Sequence, residues 1–149
     1  MLSVNMVMRL ISFWPPYLAA GISVQSFDLE KGELTTRLKS SRFNRGYFGT
    51  HFGGSLYSMC DPFYVFMLAN FLGRDYYVWD RRSTVEYLKA VSEPVYATFH
   101  LPPETAKAIA EQAKDGQKVE PEFTCEVRTA SGEVVARIVK TLYVRKKKR

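Results

Sequence analysis

The chain is 149 residues long, with 46% hydrophobic and 24% charged residues, a size and balance that fit one folded domain (residues 1–149) and exclude general disorder. The net charge of +6 is concentrated at one end, where the run Arg145-Lys146-Lys147-Lys148-Arg149 (145–149) forms a basic tail. The body is therefore nearly neutral, and a broad basic face for nucleic acid is not expected.

Residues 1–14 are mostly apolar but contain Asn5 and Arg9. They are too short and too interrupted to span a bilayer, and they lack the basic start and clean apolar run of a signal peptide. The expectation is a short amphipathic helix over 1–15, ended by Pro15-Pro16, that packs on the body. Its minority alternative is a membrane-surface anchor without stable insertion. A cytoplasmic location is expected. Ile22 and Val24 then alternate with polar residues, as do Leu34, Thr36 and Leu38, across a turn at Glu30-Lys31-Gly32-Glu33. Period two with one apolar face and a glycine turn predicts a hairpin. The stretch 42–50 has no period and two glycines, and reads as a loop.

Between Gly54 and Leu72 the polar residues are only Ser55, Ser58, Asp61 and Asn70. An element apolar on nearly all sides is buried on nearly all sides, which predicts a long core helix opening at Gly53-Gly54. Pro62 lies inside it, so the helix either kinks there or restarts with Asp61 as N-cap. Strand patterns return over 76–90 and 95–101. A short helix opened by Pro103-Glu104 closes near Gly116, and strands follow at 123–128 and, after a turn at Ala130-Ser131-Gly132, through Val144. An antiparallel sheet curled around one helix satisfies this order, an α+β architecture. Cys60 and Cys125 fall in apolar patterns and read as small buried hydrophobes of a reducing compartment. With only two histidines, His51 and His100, and no Cys-x-x-Cys pair, neither a metal site nor a cofactor is expected.

The run Thr50-His51-Phe52-Gly53-Gly54-Ser55-Leu56-Tyr57-Ser58-Met59-Cys60-Asp61 combines two chemical features. A helix N-terminus exposes unpaired N–H groups, and glycines there allow close approach, so such an end can hold the oxygen of a polarised carbonyl. Asp61 is the only acid in the apolar segment, a candidate base or nucleophile whose pKa desolvation would raise. In structural terms Asp61 could instead cap a helical turn, and the glycines could serve only packing. His51 could be a loop hydrogen-bonder, and Ser55 and Ser58 could bond back to helix carbonyls.

This segment, together with Tyr76-Tyr77-Val78-Trp79-Asp80 and the ending Val135 to Tyr143, resembles the hotdog-fold acyl-CoA thioesterases of the phenylacetate-pathway type. It is closest to a less characterised branch grouped as tetrameric acyl-CoA thioesterases. The resemblance implies a hotdog fold and Asp61 as the catalytic acid, with the N–H of Gly53 or Gly54 as oxyanion donor. It also implies a homodimer or homotetramer that shares its sites across subunits. Phe52 stands where the family pattern has histidine, with His51 one residue earlier. Asn44 matches a loop asparagine that orients substrate or water, and Ser55 lies at the same helix start. Arg81 and Arg82 could meet the phosphates of coenzyme A or form an exposed strand end. The acyl chain would lie along Phe63, Tyr64 and Phe66. The alternative function is a non-catalytic acyl or acyl-CoA binder on the same fold. A hotdog dehydratase is disfavoured by the absence of an Asp-to-His catalytic run, and a tail-mediated nucleic-acid or membrane role by the near-neutral body.

Overall fold

A computed structural model describes residues 3–148. Six strands form one antiparallel sheet: β1 (Ile22–Asp28), β2 (Glu33–Leu38), β3 (Tyr76–Tyr87), β4 (Val95–His100), β5 (Glu122–Thr129) and β6 (Val134–Lys146). Their order across the sheet is β1-β2-β4-β5-β6-β3, so β1 and β3 are its edges. The residues that alternate toward the helices are buried: Leu34, Thr36 and Leu38 on β2; Val95, Ala97 and Phe99 on β4; Cys125 and Val127 on β5. This is the α+β hotdog arrangement, with helices held in the curl of the sheet.

The hairpin of β1 and β2 forms as the alternation predicts, with Gly32 at φ 72° in its turn. The N-terminal segment contains the expected short helix, with Met8 buried against the body, and continues beyond it. It folds as α1 (Val4–Leu10), a 3₁₀ turn (Ile11–Phe13) and α2 (Pro15–Ala20). Pro15 and Pro16 open α2 rather than only ending what precedes it, because proline tolerates the first helical turn, where no N–H partner is needed. Tyr17 on α2 is buried, and its ring meets that of Phe63 at 6.3 Å between centroids.

The long core helix is two helices, α3 (Gly53–Ser58) and α4 (Phe63–Leu72). The interruption follows from Pro62. Proline has no N–H to give the carbonyl four residues back, and its ring crowds that carbonyl. The Ser58 carbonyl, released from the helix ladder, accepts the Tyr17 hydroxyl at 2.7 Å and the Asp61 N–H at 3.3 Å. At the start of α4 the N-cap position is Pro62, and it carries no side-chain cap bond. Asp61 therefore does not cap the helix. On α4, Phe63 and Tyr64 pack against Phe99, and Tyr64 stacks on Phe123 at 4.7 Å. The small helix α5 (Pro103–Ala113) packs against α4, and Gly116 at φ 76° turns the chain after it.

Within the basic run, Arg145 to Lys147 are held on the body of the domain. Arg145 and Lys146 are the last residues of β6 and pair with Tyr77 and Tyr76 of β3. Lys147 donates its N–H to the Asp75 carbonyl at 2.8 Å and its ammonium to the Arg74 carbonyl at 2.7 Å. Arg149 lies outside the described residues.

Candidate active site

The break between α3 and α4 places Asp61 beside a lysine that the sequence reading did not single out. Lys140 follows the inward phase of β6, which runs Ala136, Ile138, Lys140, Leu142, Val144, and it is 0% exposed. Its ammonium reaches two carboxylates, Asp61 Oδ1 and Asp80 Oδ1, each at 2.6 Å. Burial pulls the Lys140 pKa down. The hydrogen bonds and charges of Asp61 and Asp80 outweigh that pull and hold it above the ordinary lysine value. The Tyr57 hydroxyl donates to the same Asp61 oxygen at 2.5 Å and also lies 3.2 Å from Ser83 Oγ. Burial, followed by the bond to Asp61, raises the Tyr57 phenol pKa, so Tyr57 stays a neutral donor.

Asp61 is therefore not an isolated acid in apolar surroundings. Its carboxylate has a counter-charge and a phenol donor, and its side chain is 40% exposed. Both bonds fall on Oδ1, so among the described residues Oδ2 is left for another partner. Asp80 owes its position to a local irregularity. Between Asp80 and Arg82 the β3–β6 register slips by one residue, and Arg81 is the extra residue of the bulge.

Two clefts meet this network. One, of about 720 Å³, lies between the N-terminal helices and the start of α4 and includes Asp61 in its wall. The other, of about 510 Å³, is lined by Gly54, Tyr57, Asp80, Arg81, Arg82 and Ser83, with Val85 and Tyr87. Tyr57 and Asp80 thus line the second cleft, while Asp61, joined to them directly or through Lys140, lines the first.

The remaining sequence candidates divide. Gly54 fronts the second cleft, and Gly53 lies beneath Tyr87, whose hydroxyl donates to the Gly53 carbonyl at 3.2 Å. A methyl at Gly53 would meet the Tyr87 ring at 3.1 Å, and one at Gly54 would meet the Phe52 ring at 2.5 Å. Both glycines therefore have a packing reason. Ser55 is buried within the first turn of α3. Ser58 Oγ donates back to the Gly54 carbonyl at 2.7 Å. Arg81 pairs with Glu120 at 3.2 Å, and Arg82 stands beside it on the rim of the second cleft.

Asn44 and His51 are held in the loop. The Asn44 amide donates to the Ala20 and Lys39 carbonyls, and its oxygen accepts from the N–H and hydroxyl of Ser41. His51 is buried, with Nε2 2.6 Å from the Glu93 carbonyl. Neither side chain lines the clefts that meet Asp61 or Gly54. Of the three aromatics expected along the acyl chain, Phe63 and Tyr64 are core residues, 0% and 3% exposed, and only Phe66 lines the cleft beside Asp61. Cys60 and Cys125 are buried free thiols 3.6 Å apart, and burial pushes the Cys60 thiol pKa far up.

The lysine was open to detection in the sequence. A Lys in phase with Ala136, Ile138, Leu142 and Val144 breaks an otherwise apolar face, and a buried ammonium needs an anion. Which anions it meets depends on the bulge in β3 and the break before α4, which pattern alone does not locate.

Among solved structures the chain is similar to a protein of unknown function from Pseudomonas aeruginosa, named as a thioesterase candidate. They share 17% identity at a TM-score of 0.83, over 98% of this chain and 97% of that one. A thioesterase from Haemophilus influenzae is 12% identical with a TM-score of 0.68, over 98% of this chain and 92% of that one. A thioesterase candidate from Shewanella oneidensis is 20% identical with a TM-score of 0.70, over 97% of both chains. At such identities the likeness shows the fold. No curated protein matches the chain. Residues 4–144 match the family model described as a domain of unknown function, DUF4442. Among the described residues no helix is long and apolar enough to cross a membrane.

Proposed function

For a chain that belongs to the DUF4442 family and folds like structures named as thioesterases, we propose the hydrolysis of acyl-CoA thioesters, with Asp61 as the acid at the reacting centre. The observation that carries this reading is the setting of Asp61: a part-exposed carboxylate, fixed on one oxygen by Tyr57 and Lys140, in the wall of an apolar cleft. A carboxylate held in this way presents its second oxygen in one direction, as a general base requires. Oδ2 takes a proton from water while the water oxygen bonds to the thioester carbon. The carbon–sulfur bond then breaks, and the leaving thiolate takes up the proton. The N–H of Gly53 or Gly54 serves as donor to the carbonyl oxygen, and Arg82 with Arg81 serves the phosphates of the carrier.

Gly54 and Asp61 line different clefts of one chain. In this reading the donor and the acid that act on one substrate come from two protomers of a homodimer or homotetramer. The long exposed edge strand β3 supports such pairing, since an unpaired edge is a template for another chain. Non-catalytic acyl binding is the second reading. The compensation of the Asp61 charge by Lys140, as in a purely structural ion pair, favours it. The two are separated with a panel of acyl-CoAs and the Asp61→Asn variant. Hydrolysis that falls by about 10² or more in the variant supports catalysis, in the range for loss of a positioned acid or base. Equal turnover by both proteins overturns the role of Asp61, and no turnover by the wild type overturns the reaction.

A further inference from the structure

Lys140 has one charge and two carboxylate partners. Asp61 Oδ1 and Asp80 Oδ1 each lie 2.6 Å from its ammonium, and among the described residues no other cation is in ion-pair contact with either acid. One acid would suffice to neutralise the lysine. With two, the cluster has a formal charge of +1 − 2 = −1, so the compensation of Asp61 is incomplete. Asp80 follows the buried Val78 by two residues on β3 and so shares its inward face. An inward acid that charge balance does not require needs another reason. The geometry of the ammonium supplies one. Lys140 is fully buried, so water does not share in holding it, and the Tyr57 ring lies 5.4 Å away. Asp80 draws the ammonium from the β3 side. Under that hold it meets Asp61 on Oδ1 alone, the oxygen that also accepts the Tyr57 hydroxyl. Without Asp80 the three donors of the ammonium would be free to settle across both Asp61 oxygens, and Oδ2 would be lost as an acceptor.

We propose that Asp80 is a positioning residue, which anchors the Lys140 ammonium away from Asp61 Oδ2 and keeps that oxygen free to act as a base. The base rests on the hydrolase reading, and the anchoring rests on the cluster alone. The other titratable groups that feel the Asp61 charge are Tyr57 on α3, Tyr17 on α2 and Cys60 in the break before α4. Burial raises the pKa of all three, so each stays neutral at ordinary pH. Beside Asp80, Arg81 turns to Glu120 at 3.2 Å, and Arg82 lines the second cleft.

Two measurements test this. In denaturant unfolding, the midpoint loss from Asp80→Ala should be larger in an Asp61→Asn background than in the wild type. The wild-type ammonium can fall back on Asp61, and in the Asp61→Asn background it has no carboxylate left. A double variant that does not fold while both single variants do is the limit of the same result. In hydrolysis of the acyl-CoA that the wild type turns over fastest, Asp80→Ala should lower kcat about tenfold or more, part of the 10²–10⁴ that a positioned base supplies. Asp80→Asn keeps an oxygen where the ammonium is anchored and should stay within about threefold of the wild type, the scale of one weakened hydrogen bond. The acid limb of the kcat/KM profile should move to lower pH in Asp80→Ala, because an ammonium spread over both oxygens favours the ionised carboxylate. Damage to the fold or to substrate binding would lower the rate without moving that limb. Additive unfolding losses, or an acid limb that stays in place, would overturn the inference even if acyl-CoAs are hydrolysed. Unfolding losses beyond additivity with no hydrolysis by the wild type would retain the anchoring of Lys140 and overturn the reaction.

Discussion

Lys140 is the residue on which the site and the fold depend together. It is fully buried, and its two partners, Asp61 and Asp80, are each about two-fifths exposed. Lys140→Met removes the shared cation and leaves two carboxylates facing one another. Breaking a buried pair from one side costs about 3–5 kcal/mol, and the partial hydration of the acids places this case at the lower end, about 3 kcal/mol. Denaturant unfolding at neutral pH should show that loss, and adding Asp80→Asn to Lys140→Met should recover part of it. Full recovery is not expected, because the asparagine keeps a polar group with no ammonium to bond. The pH dependence has a definite sign. The folded Lys140 pKa lies above its ordinary value despite burial, because Asp61 and Asp80 outweigh desolvation. Its stabilising contribution is therefore complete below the unfolded lysine value of about 10.4 and is lost as pH rises through the folded value. Wild-type stability should fall more steeply than that of Lys140→Met in strongly alkaline solution.

Two elements carry predictions of their own. In the β1–β2 turn, Gly32 adopts φ 72°, and an added methyl would fall 1.7 Å from the Leu101 carbonyl oxygen. That carbonyl is backbone, anchored where the Leu101 N–H bonds the Gly32 carbonyl at 2.8 Å, so it cannot swing aside. Gly32→Ala combines an unfavourable φ with a backbone clash, and a loss of more than about 2 kcal/mol is expected in thermal or denaturant unfolding. The end of β6 is the second case. Deleting residues 145–149 removes the bond from Arg145 to the Gly116 carbonyl and those from Lys147 to the Asp75 and Arg74 carbonyls. At roughly 1 kcal/mol each, with partial fraying, a total near 2 kcal/mol corresponds to a melting temperature lower by about 4–8 °C. A deletion that leaves the melting temperature unchanged would mean that these residues are a solvated tail after all.

At the scale of the molecule, the surface is unevenly apolar. Edge strand β3 runs from Tyr76 to Tyr87 and exposes Trp79 and Tyr87, and the loop before α3 exposes Phe43, Tyr47, Phe48 and Phe52. Large apolar side chains exposed on an open sheet edge and in a nearby loop are expected to be covered by another chain. Light scattering at micromolar concentration should therefore give a mass of at least two chains, and Trp79→Lys should shift it toward one. A wild-type monomer would overturn the two-protomer site as well as the assembly, because Gly54 and Asp61 front separate clefts in one chain.

Much of the architecture was legible in the sequence because it depends on periodicity. The alternation of Leu34, Thr36 and Leu38, the glycine turn at Gly32 and the apolar run after Gly54 each reflect which side of an element meets water, and that is a local property. Asp61 stood out for the same reason, as one acid among apolar neighbours. By itself the sequence determined the hairpin, the strands, the helical core segment and the acid within it. Only the tertiary structure decided what the acid meets. Pro62 divides the helix and turns Asp61 toward β6, and the bulge at Arg81 aligns Asp80 with the same lysine. Lys140 lies 79 positions from Asp61 in the chain, and no period links them. Charge pairing across such a separation depends on how the sheet curls around the helices, a long-range outcome of packing that local pattern does not encode.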